Sequence, residues 1–108
     1  MSNRDLGRLL YWLFISSRGG PTRLRIVLAL KNKPFNTHQL SQNLSLDFST
    51  IKHHIQKLET NGIIVRTGDG YGATYFLSDF VSSNYDQIEK LMSDEELEKV
   101  NRDLSESG

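Results

Sequence analysis

Hydrophobic residues recur mostly at helical spacing along this chain of 108 residues. Positions i, i+3, i+4 and i+7 lie on one face of a helix, so such runs predict amphipathic helices. The first helix is predicted over about residues 4–16. Its apolar residues fall on both faces: Leu6, Leu9, Leu10, Tyr11, Trp12, Leu13, Phe14 and Ile15. A helix that is apolar all round must be covered on two sides. We therefore expect one side to pack on the core and the other on a second copy of the chain.

The middle of the chain carries start and stop signals for further helices. Pro21 suits the first position of a second helix, because the N–H that proline lacks would be unpaired there. A short third helix is expected over residues 37–44, capped by Asn36 or Thr37. A fourth helix follows over residues 48–61, between the cap Asp47 and the stop Gly62. Its buried stripe is predicted to comprise Phe48, Ile51, Ile55 and Leu58.

The next segment has the pattern of a β-hairpin. Two β-rich runs, residues 63–67 and 73–77, flank a loop with glycine at positions 68, 70 and 72. Glycine supplies the positive φ angles that such a loop needs. Beyond the hairpin, a helical seam is predicted at Val81, Tyr85, Ile88 and Met92. Ser93 and Glu96 resemble a capping box that restarts a helix, whose face would carry Leu97, Val100 and Leu104.

The order of short helix, tight turn, longer helix, glycine stop and hairpin predicts a winged helix-turn-helix. We expect a mainly α (α+β) fold with a two-stranded β-wing and flanking N- and C-terminal dimerisation helices. The whole chain is predicted to be a single domain. Its parts are an N-terminal dimerisation helix at 1–17, a DNA-binding core at 18–77, a C-terminal helix at 78–104 and a frayed tail at 105–108.

The fourth helix has a polar face that is typical of a helix that enters the major groove of DNA. No acidic residue lies between Asp47 and Glu59, and every polar side chain on this face can donate a hydrogen bond. The candidate DNA-binding residues are this face, the wing and the start of the third helix: Ser49, Thr50, Lys52, His53, Gln56, Lys57, Arg66, Thr67, Tyr71 and Thr37. Gln56 and Thr50 are expected to face base edges, and the lysines and Arg66 to meet phosphates. His54 is instead expected to pack half-buried against the third helix.

The net charge of zero conceals a segregated distribution. Residues 18–66 carry eight basic and two acidic residues, whereas residues 67–108 carry three basic and ten acidic residues. A basic middle suits a polyanion bound on one face of the molecule.

The segment LSQNLSLDFSTIKHHIQKLETNGIIV, residues 40–65, resembles the DNA-binding part of arsenic-repressor-like (ArsR-type) winged-helix regulators. The opening SRGGPTRLRIVLAL is similar to small archaeal regulators of that superfamily. The resemblance covers residues 18–77 and implies a dimer formed by the first and last helices. It also implies DNA contacts at Ser49, Thr50, Lys52, His53 and Gln56.

We therefore expect a cytoplasmic, sequence-specific regulator that binds double-stranded DNA as a homodimer. A repressor is expected, because so short a chain has no separate domain for contacting polymerase. The candidate dimerisation residues are Leu9, Trp12, Leu13, Val81, Tyr85, Ile88 and Met92. Two alternatives remain open at this point: a winged-helix protein-interaction module of the transcription machinery, and a small-molecule sensor with a pocket at the dimer interface.

Composition argues against several other classes of function. The chain contains no cysteine, which excludes a disulfide framework, a thiolate zinc site and the cysteine pair of metal-sensing ArsR-type members. His53 and His54 point about 100° apart on a helix and cannot both bind one ion without strain. No catalytic constellation is present, so we expect no enzyme activity, metal or cofactor. No signal peptide is visible, and the apolar run at residues 9–15 is too short to span a bilayer.

Overall fold

A computed structural model describes residues 2–92 of the chain, apart from the side chains of Asn3 and Tyr71. The predicted helix restart at Ser93 and Glu96, with its face at Leu97, Val100 and Leu104, lies outside the described residues. The elements, in chain order, are α1 (Asn3–Tyr11), a π-helical segment (Trp12–Ser16), α2 (Gly20–Asn32), β1 (Phe35–Asn36), α3 (Thr37–Leu44), α4 (Phe48–Thr60), β2 (Ile64–Thr67), a 3₁₀ turn (Gly70–Gly72), β3 (Thr74–Leu77), α5 (Asp79–Ser83) and α6 (Tyr85–Leu91).

The chain forms two compact units. One unit is Thr22–Ser83, which holds α3, α4, the sheet and α5. The other unit combines the described parts of Met1–Pro21 and Asn84–Gly108, which hold α1, the π-helical segment and α6. None of the helices described between residues 2 and 92 has the length and apolar character required to cross a membrane.

The unit Thr22–Ser83 is a winged helix-turn-helix, as predicted. Strands β2 and β3 form the hairpin, with Ile64 opposite Leu77 and Thr67 opposite Thr74. The sheet has one strand more than the two predicted for the wing, because β1 pairs antiparallel with β3. The strand order is β1-β3-β2. A strand of only two residues leaves no periodic pattern in the sequence, and only its pairing with β3 defines it.

Local side-chain caps determine where α3 and α4 begin. The Asn36 side chain accepts a hydrogen bond from the Gln39 backbone at 2.7 Å, and the Gln39 side chain accepts one from the Asn36 backbone at 2.9 Å. Asp47 accepts from the Thr50 backbone at 3.1 Å. These bonds satisfy N–H groups that a helix start otherwise leaves unpaired. Gly62 follows α4 with φ at +73°, which confirms the predicted left-handed stop.

Helix α4 buries the predicted stripe with one exception. Ile51, Ile55 and Leu58 are buried, and so are Leu40 and Leu44 of the neighbouring α3. Phe48 was predicted to belong to this stripe, but 39% of its surface is exposed. Phe48 is the first residue of α4, and it lines an open cleft rather than the core.

In the other unit, α1 buries Leu6 and Leu10, and the π-helical segment buries Leu13 and Phe14. We predicted a regular helix to residue 16, but the last turn is π-helical. The Ser17 N–H bonds to the carbonyl oxygen of Trp12, five residues earlier, at 3.1 Å. Tyr11 and Trp12 remain exposed, by 44% and 43%. One side of this first helical stretch therefore keeps exposed apolar surface among the described residues.

The predicted seam after the hairpin does not lie on one helix. Asn84 separates α5 from α6, with φ −119° and ψ 26°, outside the helical region. Val81, Ile88 and Leu13, all expected at a dimer surface, are instead buried within the chain, so the folded chain does not present them to a partner. The other candidate dimerisation residues keep exposed surface: Leu9, Trp12, Tyr85 and Met92.

Candidate nucleic-acid interface

The outward side of α4 carries the predicted polar face. Ser49, Lys52, His53 and Gln56 are exposed, and Thr50 and Lys57 are half-buried. Docking of α4 on α3 through its apolar stripe produces this arrangement, since residues on the opposite side of the same helix must face outward. The fold therefore brings the predicted contact residues of α4 onto one continuous surface.

A cleft of about 930 Å³ runs along this surface, between α4 and the sheet. Four of the predicted contact residues line it: Thr37, Lys52, Gln56 and Arg66. His38 also lines it and is exposed. On the other side of Gln56 is a shallower cleft of about 290 Å³, lined by His53 and Lys57 among others. Gln56 thus borders both clefts and occupies the ridge between them.

The side chain of Thr50 is held by a hydrogen bond that the sequence did not predict. The Thr50 hydroxyl donates to Oδ1 of Asp47 at 2.7 Å, while the Thr50 backbone N–H donates to Oδ2. The side-chain hydrogen bond from Thr50, followed by the backbone bond, lowers the pKa of Asp47 below its ordinary value. The Thr50 hydroxyl proton is committed to the cap, so only its oxygen is available as an acceptor to a base.

An ion pair between Arg66 and Glu59 links strand β2 of the wing to the end of α4. Nε of Arg66 lies 3.4 Å from Oε2 of Glu59, and both side chains are substantially exposed. An exposed ion pair of this kind contributes little to stability and exchanges easily for another anion. The ion pair with Glu59 therefore places the Arg66 guanidinium beside the cleft without fixing it there.

Two of the three glycines in the wing loop have the positive φ that the sequence predicted, and Gly72 does not. Gly68 and Gly70 have φ of +84° and +57°, in the left-handed region that favours glycine. Thr67 is exposed at the base of the loop and pairs with Thr74. Tyr71 lies in the 3₁₀ turn at the tip. Backbone position places Tyr71 at the wing tip, where the sequence predicted it.

One basic residue of the middle segment is not available to a polyanion. Arg23 is only 1% exposed, and its Nη1 lies 3.3 Å from Nδ1 of His54 on α4. Arginine can only donate, so Nδ1 of His54 accepts and the neutral ring carries its proton on Nε2. His54 is buried rather than half-buried as expected, and its hydrogen-bond partner Arg23 belongs to α2 rather than to α3. Arginine is rarely buried, and no sequence signal indicated this pair.

The charge of His54 is disfavoured by its surroundings. Its pKa lies below the ordinary value of 6.5, first because burial penalises the charged ring. The neighbouring positive charges of Arg23, His53 and Lys57 lower it further. The ring therefore stays neutral near pH 7 and packs as part of the helix-docking surface. Between residues 2 and 92, no three histidine, aspartate or glutamate side chains gather into a group that could hold a metal ion.

Residues 13–76 match the family model of the N-terminal domain of FilR1, described as a methanogenesis regulatory protein. The match covers more than half of the chain. The chain belongs to this family. No curated protein matches it in sequence.

Solved structures with the same fold include transcriptional regulators and a winged helix-turn-helix DNA-binding domain. HlyU from Vibrio cholerae is 20% identical with a TM-score of 0.63, over 84% of this chain and 97% of that protein. Mb0332 from Mycobacterium bovis, a homodimeric winged helix-turn-helix DNA-binding domain of a possible ArsR-family regulator, is 17% identical with a TM-score of 0.63. That match covers 92% of this chain and 93% of the Mb0332 domain. The predicted resemblance to ArsR-type winged-helix regulators is thus confirmed at the level of the fold.

Proposed function

We propose that this protein is a transcription regulator that binds double-stranded DNA sequence-specifically as a homodimer and represses by blocking the promoter. The observation that carries this proposal is the outward side of α4, where exposed hydrogen-bond donors form an acid-free surface from Ser49 to Gln56. A helix presented in this way fits the major groove, with its N-terminal residues toward the base edges. Such a regulator would work in the cytoplasm and needs no catalytic group.

Family and fold support the same function. The family model describes a domain of a regulatory protein, and Mb0332 is described as a DNA-binding homodimer. The clefts on either side of Gln56 place Lys52 and Arg66 toward the sheet and Lys57 on the opposite flank. Basic side chains on both sides of Gln56 suit the two phosphate backbones that border a major groove.

The test separates base contacts from phosphate contacts. A preferred duplex is first selected from random DNA, and binding is then measured over a salt series. Gln56→Ala should weaken binding to the preferred duplex by roughly 1–3 kcal/mol and change binding to scrambled DNA much less. Lys52→Ala should weaken binding to both duplexes and lower the salt slope by about 0.9, the value for one phosphate that is no longer neutralised.

Lys90→Ala is the matched control, because it removes the same charge from an exposed position on α6. It should leave the slope unchanged. Equal losses for Gln56→Ala on both duplexes, or no preferred duplex at all, would contradict sequence-specific reading by α4.

The dimer is proposed to form through the exposed apolar surface of the first helical stretch and the partly exposed residues of the C-terminal part. Those residues are Leu9, Trp12, Tyr85 and Met92. A large exposed aromatic residue such as Trp12 is typical of an interface. Sedimentation should show a dimer at micromolar concentration, and Trp12→Glu should shift it toward monomer. The selected duplex should then be a near-palindrome with half-sites about 34 Å apart. A monomeric wild-type protein would contradict this proposal.

A further inference from the structure

Phe48 is an exposed apolar residue on a helix whose other exposed side chains are polar. Five large hydrophobic residues are exposed among the side chains that the structure describes, and Phe48 is the one that belongs to α4. Its exposure of 39% leaves much of an aromatic ring in water, which is unfavourable unless something covers it. Its backbone is held in place by the Asp47 cap, which fixes the first turn of the helix.

The position of Phe48 aligns it with the proposed contact residues. Phe48, Lys52 and Gln56 are spaced four residues apart on α4, and all three line the 930 Å³ cleft. Side chains four residues apart are neighbours on a helix surface. Phe48 therefore lies in line with Lys52 and Gln56 at the N-terminal end of α4. This end of a recognition helix reaches deepest into a major groove.

Among the groups that the bases expose in the major groove, one is a suitable contact for a phenyl ring. Base edges there present hydrogen-bond donors and acceptors, which a phenyl ring cannot pair, and a single apolar feature, the C5-methyl group of thymine. An amide or hydroxyl side chain at this position could form hydrogen bonds with several different bases, whereas a phenyl ring selects the methyl group. The exposed ring of Phe48, at the N-terminal end of α4, thus complements a thymine at a different position of the half-site from the base that Gln56 reads.

We propose that Phe48 is a specificity-determining residue that contacts the thymine C5-methyl group in each half-site. This inference rests on the proposed DNA-binding function and names a second base contact within it. Covering one methyl group stabilises a complex by an amount that corresponds to about fourfold in affinity.

The test removes the methyl group from the DNA rather than only the ring from the protein. Each thymine of the selected duplex is replaced in turn by deoxyuridine, which lacks the C5-methyl group and pairs identically. Wild-type protein should lose about fourfold in affinity at one thymine per half-site, and little elsewhere. Phe48→Ala should bind the thymine and uracil duplexes equally at that position, and Phe48→Leu should retain part of the preference.

The readout is a ratio of two affinities for one protein preparation, so a partly unfolded variant does not distort it. If wild-type protein prefers one sequence but no thymine shows a uracil penalty, the inference fails and the proposed function stands. The inference also fails if Phe48→Ala keeps the full penalty. If wild-type protein shows no sequence preference on any duplex, the proposed function and the inference both fail.

Discussion

Gly7 and Gly20 both lie in helices, yet replacing each with alanine should change stability in opposite directions. A Cβ added to Gly7 in α1 would meet no atom within 4 Å. A Cβ added to Gly20, the first residue of α2, would stand 2.6 Å from the carbonyl carbon of Phe14 and still closer to its oxygen. The two positions thus differ in the space around them, since neither requires a positive φ.

The magnitudes follow from that difference. Alanine is favoured over glycine inside a helix by about 0.8–1.0 kcal/mol, so Gly7→Ala should raise the free energy of unfolding by about that much. At Gly20, an ordinary contact of 3.4 Å with the nearest atom, the carbonyl oxygen of Phe14, requires a displacement of roughly 1 Å, and the opposing atoms belong to the backbone rather than to a flexible side chain. Overpacking of this kind costs about 1–3 kcal/mol. The two variants should therefore differ by about 2–4 kcal/mol.

Urea unfolding at one fixed protein concentration measures both variants, because association makes apparent stability depend on concentration. The fluorescence of Trp12, the only tryptophan in the chain, reports on the unit that contains both glycines. Far-UV circular dichroism follows the helices of the whole chain. An unchanged or increased midpoint for Gly20→Ala would refute the close approach of Gly20 to Phe14. A decreased midpoint for Gly7→Ala would refute the open space beside α1.

Further predictions concern the unit that contains α4. Since the folded-state pKa of His54 lies below 6.5, the unfolded chain takes up the proton first, and the free energy of unfolding should fall as pH drops through 6.5. His54→Gln should remove this fall, whereas His38→Gln, at an exposed position, should keep it. Asp47→Ala should lower the urea midpoint by removing the cap of α4, and Asp47→Asn should retain most of it. Ile51→Ala, in the fully buried stripe, should cost about 2–5 kcal/mol, and Ile51→Val about 0.5–1.5 kcal/mol.

Each of these outcomes can fail in a distinct way. A pH dependence that survives His54→Gln would place its origin elsewhere than the buried ring of His54. Equal midpoints for the alanine and asparagine variants at position 47 would show that the cap bond adds nothing. An Ile51→Ala cost no larger than that of Ile51→Val would contradict the docking of α4 on α3.

The sequence by itself determined where most helices and strands begin and end. The caps at Asn36 and Asp47 and the stop at Gly62 act within three or four residues of where they stand. Such signals depend on local backbone geometry, so they can be recognised without knowing what the helix packs against. The polar outward face of α4 was predictable for the same reason, because helical periodicity assigns residues to faces before any packing is known.

The tertiary structure decided which residues of one sequence pattern are buried, which are exposed, and which pair with a distant segment of the chain. Phe48 and Ile51 belong to one spacing pattern, yet only Ile51 is buried, because α3 packs against one length of α4 and leaves its first residue at a cleft. Arg23 is buried against His54, 31 residues later in the chain, although its charge predicted a surface position. Strand β1 exists only through its pairing with β3. Periodicity describes neighbours along the chain, whereas these features depend on contacts between segments that only the folded chain brings together.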